Sequence, residues 1–122
     1  ILTDGKVVIP ASCSTHMCSR NPRTAIGVTA IDRVIMFVVD GRTSVSIGFT
    51  LHRLAHWMRW LGAVDAVNLD GGGSATMWIN GRGVVNHPTD TAGERPVSNA
   101  VVVLPGADPQ EVEPRPARVT TI

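Results

Sequence analysis

The segment that most constrains this chain is a run of three glycines, residues 71–73, that follows the apolar stretch 63–69 and one acid, Asp70. Three consecutive glycines cost backbone conformational entropy and contribute no side chains to a core. A chain tolerates such a run where its backbone must pass close to another group or take dihedral angles that other residues avoid. Asp70 at the start of this loop favours a binding or catalytic site, and the alternative is a tight turn between strands that Asp70 caps.

The length of the chain restricts it to one domain with one modest core. It has 122 residues and a net charge of +1, which gives no strong field for nucleic acid or an anionic membrane. The sequence contains no run of about 18 apolar residues, which is the length that a membrane-spanning helix would need. The sequence begins at Ile1 without a visible signal peptide, so we expect a processed product, a truncated piece or a fragment.

The two cysteines, Cys13 and Cys18, lie close together in a polar stretch. They could close a small disulfide loop, form half of a metal site, or remain free thiols. No second pair of cysteines completes a structural zinc centre, and exposed free thiols are a liability. We therefore favour a disulfide, which implies an extracytoplasmic compartment.

The hydrophobic pattern predicts several strands and one clear helix. The helix is expected over residues 50–61, with Thr50 as its N-cap and Gly62 ending it. The runs 24–30 and 33–39 are predicted to form a hairpin, and Asn80-Gly81 predicts a tight turn in a second hairpin. The strands are predicted at residues 6–9, 24–30, 33–39, 63–69, 76–79, 83–86 and 96–104. The continuous apolar runs 34–39 and 96–104 favour central strands, buried on both faces.

These elements predict an α+β fold, with a mixed, largely antiparallel sheet and one helix packed on it. One helix covers only one face of a sheet. We therefore expect the C-terminal part of a larger catalytic domain, completed by a missing N-terminal part or another chain. The domain is assigned to residues 1–104. Residues 105–122 are interpreted as a tail or linker, because four of the eight prolines lie in 105–116.

Several common catalytic motifs are absent or incomplete. The glycine run has no accompanying Gly-x-Ser-x-Gly nucleophile motif, and no phosphate-binding loop surrounds the single lysine, Lys6. His52 and His56 are spaced as in a helical metal site, but Arg53 stands where a metalloprotease needs Glu. A solvated polar helix face is the better interpretation of these histidines.

Charged residues cluster where the predicted strands begin or end. Arg23 precedes one strand, and the other clusters are Asp40 with Arg42, Asp70 with Ser74, and Asp90 with Glu94 and Arg95. If these strands share a sheet, the clusters can gather in one cleft. Arginine and backbone N–H groups bind phosphate, and paired carboxylates suit acid–base chemistry at a glycosidic bond. The alternative is that each acid only caps a turn or pairs with a neighbouring arginine.

Seven segments occur in an order that resembles the phosphodiester glycosidase family. They are residues 21–27, 39–42, 48–51, 61–63, 68–77, 85–86 and 93–99, which include Asn-Pro-Arg-Thr, Asp-Gly-Arg, Asn-Leu-Asp-Gly-Gly-Gly-Ser-Ala-Thr and Gly-Glu-Arg-Pro. Each motif alone is weakly specific, whereas the ordered set, over about residues 21–104, is specific.

The resemblance implies hydrolysis of a sugar-1-phosphodiester, such as one of N-acetylglucosamine, to a free sugar and a phosphomonoester. Asp70 is the expected leading catalytic acid, with Asp40 or Asp90 as its partner, and Glu94 is a further catalytic candidate at a less uniform position of the family; this assignment of acid and base is our inference. The residues expected to bind substrate are Arg23, Thr24, Arg42, Gly71, Gly72, Gly73, Ser74 and Arg95. No cofactor is predicted, and a divalent metal stays an open alternative. The loop of Cys13 and Cys18 is typical of secreted bacterial relatives, which supports the disulfide.

The main hypothesis is thus an extracytoplasmic hydrolase whose partner is a small glycosyl phosphodiester or a phosphate-linked glycan. A rival hypothesis is a noncatalytic module that binds carbohydrate or wall phosphate on an envelope protein. A third is a fragment that is inactive until its N-terminal part joins it.

Overall fold

A computed structural model of the chain describes residues 1–13 and 16–106. Within this part of the chain, five strands form one sheet, two form a separate ribbon, and one α-helix packs on the sheet. The elements are β1 (Leu2–Thr3), β2 (Lys6–Val7), β3 (Arg23–Thr29), β4 (Val34–Val39), α1 (Leu51–Trp60), β5 (Ala63–Asn68), β6 (Trp78–Ile79) and β7 (Gly83–Val84). The predicted α+β class is confirmed.

The sheet has the strand order β2-β1-β5-β3-β4, and every pairing within it is antiparallel. β3 lies between β4 and β5, so the start of β3 lies beside the ends of both neighbours. Arg23 pairs with Val39, and Ala25 pairs with Asn68. This antiparallel register brings the segments before β3, after β4 and after β5 to one end of the sheet.

Helix α1 forms as predicted from its caps and its apolar stripe. The hydroxyl of Thr50 accepts a hydrogen bond from the Arg53 N–H at 3.1 Å, and Gly62 follows the helix with φ +96°. Leu54 and Met58 are fully buried against the sheet, which stabilises the fold by roughly 1.5–3 kcal/mol per side chain. Gly27 permits this close packing, because a Cβ there would lie 2.9 Å from the Met58 Cε atom.

The prediction that residues 34–39 form a strand buried on both faces is wrong. β4 pairs only with β3 and is an edge strand, and its Val34 and Met36 side chains are 55% and 40% exposed. The side chains of a strand alternate between two faces, and α1 packs on only one face of this sheet. A continuous apolar run shows that both faces are apolar, but it does not show which face is covered.

The prediction of a central strand over residues 96–104 is also wrong. These residues form no strand, and Val102 and Leu104 are 67% and 75% exposed. A strand needs a neighbour for its main-chain groups, and none of the described strands pairs with this segment. From residue 107 onward, the predicted tail lies outside the described residues.

The other strands differ from the prediction mainly in length. The hairpin around Asn80-Gly81 is confirmed, but β6 and β7 have two residues each. The strand predicted over 6–9 shortens to β2, which pairs with β1, a strand that the sequence pattern did not predict. In the described part of the chain, no helix has the length and apolar character that crossing a bilayer would require.

Candidate active site

The glycine loop lies at the end of the sheet where β3 begins. The Gly72 N–H donates a hydrogen bond to the Pro22 carbonyl oxygen at 3.0 Å, and a Cβ on Gly71 would lie 2.7 Å from that same oxygen. Residues Gly72–Ser74 then form a short 3-10 turn. The close approach predicted from the glycines is therefore an approach of backbone to backbone, which seats the loop against the start of β3.

Arg42 lies beside this loop and is held by a buried asparagine. Its Nε and Nη2 atoms donate to the Asn21 Oδ1 atom at 3.2 and 2.8 Å. Asn21 is itself fixed by two main-chain hydrogen bonds with Phe49. A Cβ on Gly72 would lie 3.1 Å from the Arg42 Nη2 atom, so the missing side chain at Gly72 makes room for the guanidinium.

Arg95 is a second cationic group against the loop, next to Gly73. Its Nε and Nη2 atoms contact the two carboxylate oxygens of Asp90 at 2.7 and 3.1 Å. A Cβ on Gly73 would collide with the Asp90 Oδ1 atom and would lie 2.6 Å from the Arg95 Nη2 atom. Gly73 thus permits the pair to lie directly on the loop, where the Arg95 Nη1 atom is 3.5 Å from the Ser74 hydroxyl.

Acidic neighbours determine the electrostatics of Arg95. The hydrogen bond from Arg95 to Asp90 and the negative charge of Asp90 raise the pKa of Arg95, and the charge of Asp70 acts in the same direction. Asp70 immediately precedes the glycine loop against which this pair lies. The Asp70 side chain is exposed, and its Oδ1 atom accepts a hydrogen bond from the Gly71 N–H at 3.0 Å.

Asp40 is oriented by groups that come from a distant segment. Its Oδ1 atom accepts hydrogen bonds from the Asn86 side-chain amide at 3.1 Å and from the His87 N–H at 2.9 Å. Asn86 also donates to the Ala75 carbonyl oxygen at 2.8 Å and accepts from the Met77 N–H at 2.7 Å. One asparagine side chain thus connects the end of β4 to the chain that leaves the glycine loop.

Arg23 is buried at the start of β3, and two of its side-chain nitrogens donate hydrogen bonds to main-chain oxygens. Its Nε atom donates to the Phe49 carbonyl oxygen at 3.1 Å, and its Nη2 atom donates to those of Met17 and Ser19 at 2.6 and 2.7 Å. Burial lowers the pKa of Arg23, and the nearby charge of Arg42 lowers it further. Arg23 thereby ties the loop that contains Cys18 to the sheet, and its binding of substrate stays a prediction.

Two other predicted site residues lie apart from this hydrogen-bond network. The Thr24 hydroxyl is buried and has no hydrogen-bond partner among the described residues. Glu94 is exposed and forms no ion pair within the described part of the chain. Their roles in binding and catalysis also stay predictions.

The Cys13 and Cys18 side chains form a disulfide, and their Cα atoms are 5.9 Å apart. Of the three alternatives that the sequence left open, the structure has the disulfide. Among residues 1–13 and 16–106, no three His, Cys, Asp or Glu side chains gather in a group that could hold a metal ion.

The structure thus brings Asp40, Arg42, Asp70, Asp90 and Arg95 to one end of the sheet, around glycines 71–73. Sequence reasoning did not assign a role to Asn21 or Asn86, which orient Arg42 and Asp40. Both asparagines lie inside the motifs that carry the family resemblance, which is the signal that could have identified them.

Comparison with known proteins identifies relatives of this chain. The family model described as phosphodiester glycosidase matches residues 1–104. The chain is 41% identical over 68 residues to the mouse N-acetylglucosamine-1-phosphodiester alpha-N-acetylglucosaminidase. The aligned region covers 56% of this chain and 13% of the mouse protein. The human protein of that name is 40% identical over the same length.

Solved structures give a consistent picture. The catalytic domain of the zebrafish N-acetylglucosamine-1-phosphodiester alpha-N-acetylglucosaminidase, described as auto-inhibited by its pro-peptide, superposes with a TM-score of 0.62 at 32% identity. That match covers 73% of this chain and 33% of the zebrafish chain. A putative exported protein of Burkholderia pseudomallei superposes with a TM-score of 0.59 at 48% identity, over 62% of this chain and 15% of that one.

The chain therefore spans only a small part of these relatives' length. The match to the family model nevertheless extends over most of its residues and includes every segment that builds the end of the sheet described above. The chain belongs to the phosphodiester glycosidase family.

Proposed function

We propose that this chain contributes the catalytic site of an extracytoplasmic hydrolase that cleaves the glycosidic bond of a sugar-1-phosphodiester. Water adds a hydroxyl group to C1 of the sugar and a proton to the phosphate oxygen, which yields a free sugar and a phosphomonoester. The observation that carries the proposal is that two arginines, three acids and a glycine loop converge at one end of the sheet.

Arg42, Arg95 and the glycine loop are proposed to bind the phosphate. The guanidinium groups lie against Gly72 and Gly73, and the small size of these glycines lets both arginines approach the loop closely. A phosphodiester carries one negative charge, and the phosphomonoester that leaves carries nearly two at neutral pH. Cations at this position therefore stabilise the charge that develops as the C1–oxygen bond breaks.

Asp70 is proposed as the leading catalytic carboxylate, with Asp40 as its partner. Asp70 is exposed and accepts only the adjacent Gly71 N–H among the described groups, so its carboxylate is accessible to substrate. Asp40 has one oxygen fixed by two donors, while its Oδ2 atom has no partner in the described residues. Both oxygens of Asp90 contact Arg95, which favours a role for Asp90 in orienting that arginine.

The extracytoplasmic location rests on two observations. The chain has a disulfide between Cys13 and Cys18, and disulfides persist in oxidising compartments. A relative of known structure is described as a putative exported protein. The family's named substrates suggest N-acetylglucosamine as the sugar, since the mouse, human and zebrafish relatives are named for it.

The test is hydrolysis of an N-acetylglucosamine-1-phosphodiester by this chain in water enriched in oxygen-18, with mass analysis of both products. We expect the label on the C1 hydroxyl of the released sugar, because a glycosidase breaks the C1–oxygen bond. Label on the phosphate would identify a phosphodiesterase and contradict the proposal. Binding without turnover, measured by calorimetry on the same sample, would favour the noncatalytic module.

A further inference from the structure

Trp78 is an exposed aromatic side chain on the short β6–β7 ribbon. Its side chain is 63% exposed, and no ring of the described residues pairs with it. The two other tryptophans differ, since Trp57 and Trp60 pair edge to face on α1 with their ring centroids 5.2 Å apart. An indole that exposes most of its surface and has no ring partner provides an apolar area for a ligand.

Hydrogen bonds tie the base of this ribbon to the proposed catalytic acids. Trp78 follows Met77, whose N–H donates to the Asn86 Oδ1 atom at 2.7 Å. The amide nitrogen of the same Asn86 side chain donates to Asp40 at 3.1 Å. Trp78 is also only four residues beyond Ser74, so its Cα lies within about 14 Å of the glycine loop. The Trp78 main chain is therefore no farther from the loop than about the length of a disaccharide phosphate.

The ribbon holds Trp78 in a defined position. Trp78 pairs with Val84, Ile79 pairs with Gly83, and the Val85 N–H donates to the Met77 carbonyl oxygen at 2.9 Å. Gly81 closes the turn with φ +76°, a value that glycine adopts without strain. The main chain at Trp78 is therefore fixed, so a ligand that binds there orders little beyond the side chain itself.

The chemistry of an indole face suits a pyranose ring. The face of an aromatic ring is electron-rich, and a pyranose ring presents a row of weakly positive C–H groups on one side. Stacking the two removes apolar surface from water while the sugar hydroxyls stay free to bind polar groups or solvent. An inorganic phosphate ion, which has no apolar face and is repelled by the electron-rich ring, would gain nothing from such a surface.

We propose that Trp78 is the sugar-binding platform of this site and stacks on a pyranose ring of the substrate. This inference rests on the proposed function, because it places a sugar beside the proposed catalytic acids. The ring it contacts belongs either to the sugar that carries the scissile bond or to a second sugar attached through the phosphate.

Calorimetry tests this with the otherwise wild-type chain and the variants Trp78→Ala, Trp78→Phe and Trp60→Ala, each carrying Asp70→Asn so that the ligands are not hydrolysed during the titration. Two ligands are titrated: methyl N-acetylglucosamine-1-phosphate, and the same sugar phosphate esterified to the 6-hydroxyl of mannose. Loss of an aromatic stacking contact weakens binding about 3- to 10-fold, so we expect Trp78→Ala to show this loss. Trp78→Phe keeps most of the affinity, and Trp60→Ala, which removes a tryptophan that is 75% exposed on α1, binds as the wild type does.

The two ligands identify the ring in contact. Weaker binding of both by Trp78→Ala assigns Trp78 to N-acetylglucosamine, and weaker binding of the mannose ester alone assigns it to the second sugar. Unchanged affinity for both in Trp78→Ala, or an equal loss in Trp60→Ala, would overturn the inference.

The same titrations separate this inference from the proposed function. A wild-type chain that binds the sugar phosphate through Trp78 without turning it over would contradict the hydrolase and leave the platform standing. A chain that hydrolyses the ester with the same KM after Trp78→Ala would contradict the platform alone. A wild-type chain that binds neither ligand would contradict both.

Discussion

The two ends of the β3–β4 hairpin carry similar charged residues in very different surroundings. At the turn end, Asp32 and Arg33 are exposed, and their N–H groups donate to Thr29, one to its carbonyl oxygen and one to its hydroxyl, both at 3.1 Å. At the open end, Asp40 accepts hydrogen bonds from Asn86 and His87, which lie 46 and 47 positions farther along the sequence. A tight turn satisfies its polar groups locally, whereas the open end gathers several distant segments.

This difference explains why the candidate site lies at the open end. A two-strand turn leaves its charged side chains to solvent, where each is surrounded by water and interacts weakly with its neighbours. Loops that converge from three strands can instead hold several charges near one another. The comparison therefore predicts that equivalent substitutions at the two ends will have different consequences.

The largest effect is expected from Gly73→Ala. The added Cβ would displace the Asp90–Arg95 pair, and a displacement of about 1 Å in a catalytic site can cost on the order of 100-fold in rate. Turnover of the sugar phosphodiester measures the loss. Gly106→Ala is the matched control, because a Cβ there meets no atom within 4 Å. Full activity in Gly73→Ala, with native thermal unfolding, would exclude the pair from the site.

A smaller loss is expected from Arg42→Lys. Lysine keeps the charge but loses the planar fork that holds Asn21 and, in our proposal, phosphate, so affinity should fall about tenfold. Calorimetry with the phosphodiester measures it in chains that also carry Asp70→Asn to prevent turnover, and Arg33→Lys at the turn end should bind as its parent chain does. Equal affinities in the two variants would show that Arg42 does not contact the phosphate.

The smallest effect is expected at the turn end, from Gly62→Ala. Gly62 has φ +96°, and a Cβ added there would have the Thr29 Cγ2 atom as its nearest neighbour, at 3.8 Å. The cost of the substitution is therefore backbone strain rather than a collision. We expect the free energy of unfolding to fall by about 1–2 kcal/mol, as measured by urea denaturation. Activity per folded molecule should not change, and a loss of turnover here would break the distinction between the two ends.

Much of the fold could be predicted because its signals are local. The caps Thr50 and Gly62, the apolar stripe of α1 and the Asn80-Gly81 turn each involve residues close together in sequence. The status of β4 and of residues 96–104 could not be predicted in this way. Whether a strand is central depends on which elements cover and flank it, and an apolar run is the same in either case.

The site shows the same division. The glycines and the acids at the strand ends mark where backbone and charge must gather, so their positions could be predicted. Their contacts could not, because the sequence does not show that Arg23 points toward the disulfide loop rather than the glycine loop. The supporting roles of Asn21 and Asn86 likewise depend on distances that only the folded chain defines.

In the proposed function, Asp70, at the open end of the hairpin, acts on the glycosidic bond. The direct measurement is sugar release from the N-acetylglucosamine-1-phosphodiester by Asp70→Asn beside Asp32→Asn, with thermal unfolding of both. Asparagine tolerates the φ of +57° at residue 32, so this control should fold and react as the wild type does. We expect Asp70→Asn to fold normally and to lose about 10²- to 10⁴-fold in turnover, and undiminished turnover in that variant would contradict the claim.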